Sequence, residues 1–293
     1  MTRRIGFVGL GLMGSGMVAN LISAGFPVIG YDIDPDRVSA FVKAGGKPVD
    51  DPVSMAARVD VIMLSLPNSD IVDTVVRQSL KLFEAGGKGL ILIDTTTADP
   101  VRSAQLAVEL RKKGIEMLDA TISGTSKMCA QRDITFMVGG DENEFKKCES
   151  IFSALANKTY HLGKNGSGAL MKLIVNLVLG LNRMVLAEGL ALGEQAGMDM
   201  PQLLEVLKQS AAYSRAMDMK GGKMIAADFL PAEGKLAFHL KDVHLMLDLG
   251  RRLNFPLLLS SLHAQALTSL VARGKADWDN AAIISFYRDF VHG

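Results

Sequence analysis

The chain has 293 residues, 48% of them apolar and 22% charged, with a formal net charge of +1. That length accommodates two domains with cores of their own, and the composition is that of a soluble globular protein. The balanced charge provides no field that would gather nucleic acid or an anionic membrane surface.

Residues 3–8 form a short β-rich run that stops at Gly9, and residues 13–24 read as a helix capped by Gly25. A second strand is predicted over 28–32. Pro35 then opens a helix that reaches Lys43 and ends at Gly45-Gly46. The near-continuous apolar runs 59–66 and 90–94 are what parallel strands look like when both faces are covered. A helix follows from Pro100 to about Lys113, then strands over 116–120 and 134–138, a helix over 141–155 and a last strand over 159–162. Strand and helix alternating in this way predict an α/β fold: a Rossmann-type, doubly wound parallel sheet, the nucleotide-binding domain over 1–163. Residues 164–293 read as all-helical, with helices over 203–208, 235–253, 257–272 and 280–290. Between the two lies a glycine-rich opening, Gly163-Lys164-Asn165-Gly166-Ser167-Gly168, leading into one long apolar helix over about 168–195. It joins the domains, and a cleft is expected where it begins.

Two segments imitate targeting signals. Arg3-Arg4 precedes an apolar run to Ala19, but the glycines in that run fall at nucleotide-loop spacing. The uncharged span 253–272 carries Asn254, Pro256, Ser260, His263 and Gln265, too many polar positions for a membrane span. Cys129 and Cys148 are far apart and match no metal spacing, so they read as buried thiols in a reducing compartment. The expectation is a cytoplasmic protein with no membrane, nucleic-acid or metal partner.

Gly9-Leu10-Gly11-Leu12-Met13-Gly14 follows a predicted strand and opens a predicted helix. In that context Gly9 permits the tight turn, Gly11 the approach of a pyrophosphate, and Gly14 close packing of helix on strand. The helix N-terminus offers N–H groups to phosphates. Asp32, 23 residues after Gly9, stands where a carboxylate bonds the adenosine ribose and repels a 2′-phosphate. NAD is therefore favoured over NADP, although Arg37 is near in sequence. Leu66-Pro67-Asn68-Ser69 and Asp94-Thr95-Thr96-Thr97 end two buried strands, where hydroxyls can serve either a cofactor or the capping of the next helix. Residues 119–126, Asp-Ala-Thr-Ile-Ser-Gly-Thr-Ser, offer donors for a carboxylate or form an ordinary polar turn. Lys172 and Asn176 share one face of the long helix. Such a lysine can snorkel to solvent. Partly desolvated in a cleft, it can instead give and take a proton. Lys241-Asp242, taken alone, is a surface ion pair.

Taken together, these segments resemble the β-hydroxyacid dehydrogenases, the family of 3-hydroxyisobutyrate dehydrogenase and tartronate semialdehyde reductase. The resemblance lies in residues 6–14 with Met17, Asn20 and Leu21, in residues 119–125, in Gly166-x-Gly168-x-x-x-Lys172-x-x-x-Asn176, and in Lys241-Asp242. It implies that Lys172 is the general acid/base. Asn176 with Ser123, Gly124 and Thr125 would hold the substrate carboxylate, and Leu66, Pro67, Thr97 and Lys241 would contact the cofactor. It further implies a small anionic hydroxy-acid substrate and a homodimer or homotetramer. The chain departs from the family's Asp-Ala-Pro-Val-Ser-Gly-Gly segment at Thr121, in place of proline, and at Thr125, in place of the last glycine. Thr125 would add bulk and a hydroxyl to the pocket, which leaves sulfolactaldehyde-type and threonate-type substrates open beside a 3-hydroxyisobutyrate-like one. Two other classes compete. A non-catalytic dinucleotide-binding module would lack the lysine. An imine reductase or a phosphogluconate-type enzyme would lack the lysine or carry a histidine where Val175 stands.

Overall fold

The apolar runs become the strands of one sheet, and their alternation explains why they are apolar throughout. Ile5 and Phe7, Val61 and Met63, Ile91 and Ile93, and Leu118, Ala120 and Ile122 pack into the core on one face. Val8, Ile62, Leu64, Leu92 and Met117 pack into the core on the other. Successive side chains of a strand point to opposite faces, so a sheet covered on both sides needs apolar residues at every position.

The structure, a computed structural model, describes residues 2–87 and 89–292. The chain divides into two compact units, Met1–Lys172 and Leu173–Gly293. The first unit begins β1 (Ile5–Val8), α1 (Leu12–Ser23), β2 (Val28–Tyr31), α2 (Pro35–Lys43), β3 (Lys47–Pro48). It continues through β4 (Val61–Leu64), α3 (Ser69–Thr74), α4 (Leu82–Ala85), β5 (Ile91–Asp94), α5 (Pro100–Arg111) and β6 (Glu116–Ser123). Then come α6 (Ser126–Ala130), β7 (Thr135–Gly139), α7 (Glu142–Lys147), α8 (Glu149–Leu155) and β8 (Lys158–His161). The strand order is β3-β2-β1-β4-β5-β6-β7-β8. The winding reverses between β1 and β4, and open α/β sheets bind their ligands at that switch point, beyond the carboxyl ends of the strands.

Three features depart from the sequence expectation. β7 runs antiparallel to β6, pairing Asp119 with Gly139 and Ser123 with Thr135. The link between them holds only the five-residue α6, whereas a parallel return needs a crossover of a dozen residues or more. The helix expected over 141–155 breaks at Cys148, whose backbone (φ −104, ψ 2) leaves the helical region. The two-residue strand β3 and the short helices α3, α4 and α6 were not anticipated, being too brief to show a period.

The long helix α9 runs from Ser167 to Gln195, and the division between the units falls within it. The second unit continues with α10 (Met200–Gln209), α11 (Gly222–Ala226), α12 (Leu236–Arg252), α13 (Leu258–Leu270) and α14 (Ile284–His292). By length and composition α9 could cross a membrane. Its Leu173, Leu186, Ala187 and Leu190 instead pack with Val243 and Met246 of α12 and Leu267 and Leu270 of α13. Burying each such side chain contributes about 1.5–3 kcal/mol, which accounts for an apolar helix in a globular fold. Lys220 is buried with Asp279, 3.0 Å apart, and ties the segment before α11 to the one before α14.

Candidate active site

The glycine loop is shaped as its spacing requires. Gly9 has φ +94, in the region glycine favours, and a Cβ there would collide with the Ser65 carbonyl oxygen. A Cβ on Gly14 would collide with the Gly9 carbonyl oxygen and lie 3.1 Å from Phe7 Cε1, so α1 can sit this close to β1 only with glycine here. Gly11 differs: a Cβ there would meet only the end of the Arg37 side chain, in ordinary contact with Nη1 at 3.6 Å. Gly11 is also the N-cap of α1 and has no side-chain cap, Leu12 is exposed, and Met13 packs back against the core. A helix start without a side-chain cap, with an arginine near by, fits a dinucleotide's pyrophosphate.

Asp32 follows β2 directly. Its Oδ2 accepts the Leu10 N–H at 2.7 Å and its Oδ1 the Asp34 N–H at 2.9 Å. The carboxylate thus braces the glycine loop, and each oxygen keeps a further lone pair for a ribose hydroxyl. Arg37 Nη1 lies 3.6 Å from it. Asp34 caps α2 by accepting the Asp36 N–H, as its position suggests.

At the carboxyl ends of β4 and β5, most of the hydroxyl groups bind the protein itself. Thr95 Oγ1 donates to the Leu64 carbonyl (2.7 Å), Thr96 Oγ1 accepts the Leu66 N–H (3.2 Å), and Asn68 caps α3. These bonds hold Leu66 and Pro67 at the sheet edge, and Thr97, next after Thr96, is half-buried. Beneath them Asp94 is 2% exposed, and its Oδ1 accepts the Thr96 N–H at 3.0 Å. Burial pushes its carboxyl up to about 7, hydrogen bonds from Thr96 oppose this, and Asp119 on the next strand adds to it. Unfolded, the group titrates near 3.8, so between these values the folded chain holds more protons than the unfolded one. Its contribution to stability is complete below the unfolded value and is lost as the pH rises through about 7. Asp94→Asn is expected to flatten this part of the profile. Thermal melts of both proteins at pH 5 and pH 8 check it, and an unchanged slope would contradict the assignment.

The end of β6 meets the start of α9. Gly166 has φ +92, and a Cβ on it would lie 2.7 Å from the Pro100 carbonyl oxygen. A Cβ on Gly168 would collide with the Asp119 carbonyl oxygen and lie 2.5 Å from that of Met137. The Gly-x-Gly pair therefore lets the helix start directly on the β6 and β7 backbone. Asp119 receives it: Oδ1 accepts the Gly166 N–H at 2.8 Å and Oδ2 the Ala169 N–H at 2.9 Å. These are donors of the first turn that α9 itself cannot satisfy. Burial holds the Asp119 carboxyl above the usual range, and these N–H bonds partly oppose it. Thr121, in the family's proline position, donates its hydroxyl to the Gly168 carbonyl at 2.8 Å, so this departure gains a tether. Neither tether was anticipated, because the partners lie 50 and 47 residues apart in sequence.

One and a half turns into α9, Lys172 donates to the Ile122 carbonyl at 2.6 Å. The lysine is thereby held beside the Ser123-Gly124-Thr125 segment. Gly124 has φ +149, and a Cβ there would lie 2.6 Å from Ile134 Cγ2. The Thr125 hydroxyl, expected in the pocket, accepts the Met128 N–H and caps α6. Within the first unit, then, Gly9 to Gly14, Asp32, Leu66, Pro67, Thr97, Ser123 to Thr125 and Lys172 all stand at the carboxyl edge of the sheet.

Asn176 and Lys241 belong to the second unit, where Asp242 links them. Asn176 Nδ2 donates to Asp242 Oδ2 at 2.8 Å, and Lys241 Nζ lies 3.0 Å from Asp242 Oδ1. Cys129 and Cys148 are buried, which pushes their thiols up to about 11 and about 12, so they stay protonated.

Residues 4–163 match the family described as the NAD binding domain of 6-phosphogluconate dehydrogenase. Residues 166–287 match that described as the NAD-binding of NADP-dependent 3-hydroxyisobutyrate dehydrogenase. The chain is 32% identical over 284 residues to 2-(hydroxymethyl)glutarate dehydrogenase of Eubacterium barkeri, covering 97% of this chain and 94% of that one. It is 31% identical over 288 residues to L-threonate dehydrogenase of Cupriavidus necator, covering 98% and 97%. The structure of Mycobacterium tuberculosis 3-hydroxyisobutyrate dehydrogenase with L-serine has a TM-score of 0.90 to it at 28% identity, covering 98% of this chain and 100% of that one. With the glycine loop, the braced lysine helix and matches of this length, the chain belongs to the β-hydroxyacid dehydrogenase family.

Proposed function

We propose that the protein is a nicotinamide-dependent dehydrogenase that moves a hydride between NAD and a short 3-hydroxy acid or, in reverse, its semialdehyde. The observation that carries this reading is Lys172 bonded to the Ile122 carbonyl, one residue before Ser123. Bound at the glycine loop, the cofactor supplies a hydride acceptor or donor. Lys172 takes the hydroxyl proton during oxidation and returns it to the aldehyde oxygen during reduction. Ser123, Gly124, Thr125 and Asn176 orient the carboxylate, and Leu66, Pro67, Thr97 and Lys241 hold the cofactor.

For the substrate, 3-hydroxyisobutyrate and 2-(hydroxymethyl)glutarate share a hydroxymethyl group on the carbon next to a carboxylate, and relatives named for both match this chain. The threonate-named relative favours a second reading, a polyhydroxylated acid; a sulfonated acid is assayed beside it because Thr125 stands where the family has glycine. Purified protein with NAD, then NADP, is to be assayed on 3-hydroxyisobutyrate, 3-hydroxypropionate, glycerate, threonate and 2,3-dihydroxypropanesulfonate. Turnover is expected with one of the first two. Faster turnover of threonate or the sulfonate would establish the second reading, and none at all would favour a binding module.

The preference for NAD rests on Asp32. Asp32→Ser is expected to raise the use of NADP relative to NAD at least tenfold, since it removes the charge that repels a 2′-phosphate and leaves Arg37 beside the site. An unchanged ratio of kcat/KM values would refute this. The reading also includes a cytoplasmic homodimer or homotetramer. Val185 and Leu192 of α9, 70% and 71% exposed, give apolar surface that a second copy can cover, and sedimentation equilibrium tests this.

A further inference from the structure

We infer that Asp242 is a positioning residue that fixes the amide of Asn176 in one orientation. The inference rests on the proposed function, because it concerns how Asn176 meets the substrate.

Asn176 is 8% exposed, and its Nδ2 donates to Asp242 Oδ2 at 2.8 Å. An amide can turn by half a rotation and exchange its oxygen for its nitrogen with little change of shape. An ionised carboxylate is an acceptor only, so Asp242 admits the nitrogen and repels the oxygen. The Asn176 carbonyl oxygen and its second N–H are then presented to the substrate in a single arrangement. Without the carboxylate both orientations would be populated, and one of them would offer an oxygen where the substrate needs a donor.

Two cations stand near Asp242. Lys241 Nζ lies 3.0 Å from its Oδ1, too poorly aligned for a hydrogen bond but close enough to act as a counter-charge. Arg183 follows Asn176 by seven residues, two turns along the same face of α9. It is 6% exposed, its Nη2 has no hydrogen-bond partner among the described residues, and its charge interacts with Asp279 and Asp242. Asp279 is already engaged by Lys220 and by the N–H groups of Glu233 and Ala281. Arg183 is thus a buried cation whose charge is felt first by Asp279 and then by Asp242. His263 lies in the same core, and burial followed by Arg183 pushes it down to about 4, so it adds no further positive charge at neutral pH.

The test is a double-mutant cycle on the full-length enzyme with NAD and the hydroxy acid it turns over best, using Asp242→Asn, Asn176→Ala and the two combined. Asp242→Asn is expected to lower kcat/KM for the acid on the order of tenfold, the scale of one charge-assisted hydrogen bond. It is expected to leave NADH affinity unchanged and to cost nothing further once Asn176 is alanine. Wild-type activity in Asp242→Asn overturns the inference. An equal loss in the Asn176→Ala background does so too, since Asp242 would then act elsewhere, for instance through Lys241. Full turnover in Asn176→Ala alone overturns the site reading and the inference with it, whereas an additive cycle overturns the inference alone. Should Asp242→Asn fail to fold, Asp242→Glu replaces it, with a smaller loss expected and the same non-additivity required.

Discussion

Lys172→Ala is expected to lose about 10²–10⁴-fold in kcat, the range of a general acid–base group, while NADH binding stays unchanged. The reason is spatial. The residues that shape the glycine loop lie after β1 and β2, whereas the hydrogen bond of Lys172 goes to Ile122 near the end of β6. Removing the ammonium takes that donor from the Ile122 carbonyl, on a strand other than the two that carry the cofactor loop. Lys172→Arg separates charge from proton transfer. A guanidinium keeps the positive charge but does not deprotonate in proteins, so this variant is also expected to be inactive in the oxidation direction. Small primary amines added to Lys172→Ala are expected to restore part of the rate. Steady-state kinetics with NADH titrations check all three, and near-normal turnover in Lys172→Ala would remove the lysine from the mechanism.

The second large effect concerns Gly168. Gly168→Ala places a methyl group against the backbone carbonyls of Asp119 and Met137 and 2.9 Å from the Gly139 nitrogen. These atoms belong to paired strands, Asp119 opposite Gly139 and Thr121 opposite Met137, so they cannot yield without breaking the ladder. The start of α9 must lift instead. That strains the bonds of Asp119 to Gly166 and Ala169 and the bond of Thr121 to Gly168. Overpacking costs about 1–3 kcal/mol and a buried group left unpaired about 1–3 more, so a loss of about 3 kcal/mol or greater is expected. Activity is expected to fall with it, because Lys172 rides on the displaced turn. Gly189→Ala is the control. It lies on the same helix, and nothing stands within 4 Å of its added Cβ. It is expected to stabilise the helix by about 0.5–1 kcal/mol, the usual gain of alanine over glycine. Denaturant melts of the two variants, expected to shift in opposite directions, decide the matter.

Much of the site was legible because its signals are local. Gly9, Gly11 and Gly14 fall within one strand–turn–helix, and Lys172 and Asn176 within one turn of one helix. The long apolar helix was legible from its period and its glycine start. What the residues could not convey was partnership across long separations. Asp119 reads as the last polar residue of a strand, and its role as the cap of α9 depends on a helix 47 residues away. Asp242 reads as half of a surface ion pair until Asn176, 66 residues earlier, is seen bonded to it. Thr121 and Thr125 read alike as departures from a family segment. One hydroxyl tethers α9 and the other caps α6, a difference set by backbone neighbours that spacing does not reveal. The antiparallel β7 was hidden for a related reason: an apolar run carries no mark of its direction.

The most direct measurement follows the hydride itself. A 3-hydroxy acid deuterated at its carbinol carbon is to be incubated with NAD and the wild-type protein, and the reduced nicotinamide analysed by mass spectrometry. The account predicts reduced cofactor carrying one deuterium, formed at a rate lowered by deuteration if hydride transfer limits turnover, and almost none formed by Lys172→Ala. Cofactor that binds but is not reduced by any hydroxy acid, or reduced cofactor without deuterium, would contradict it.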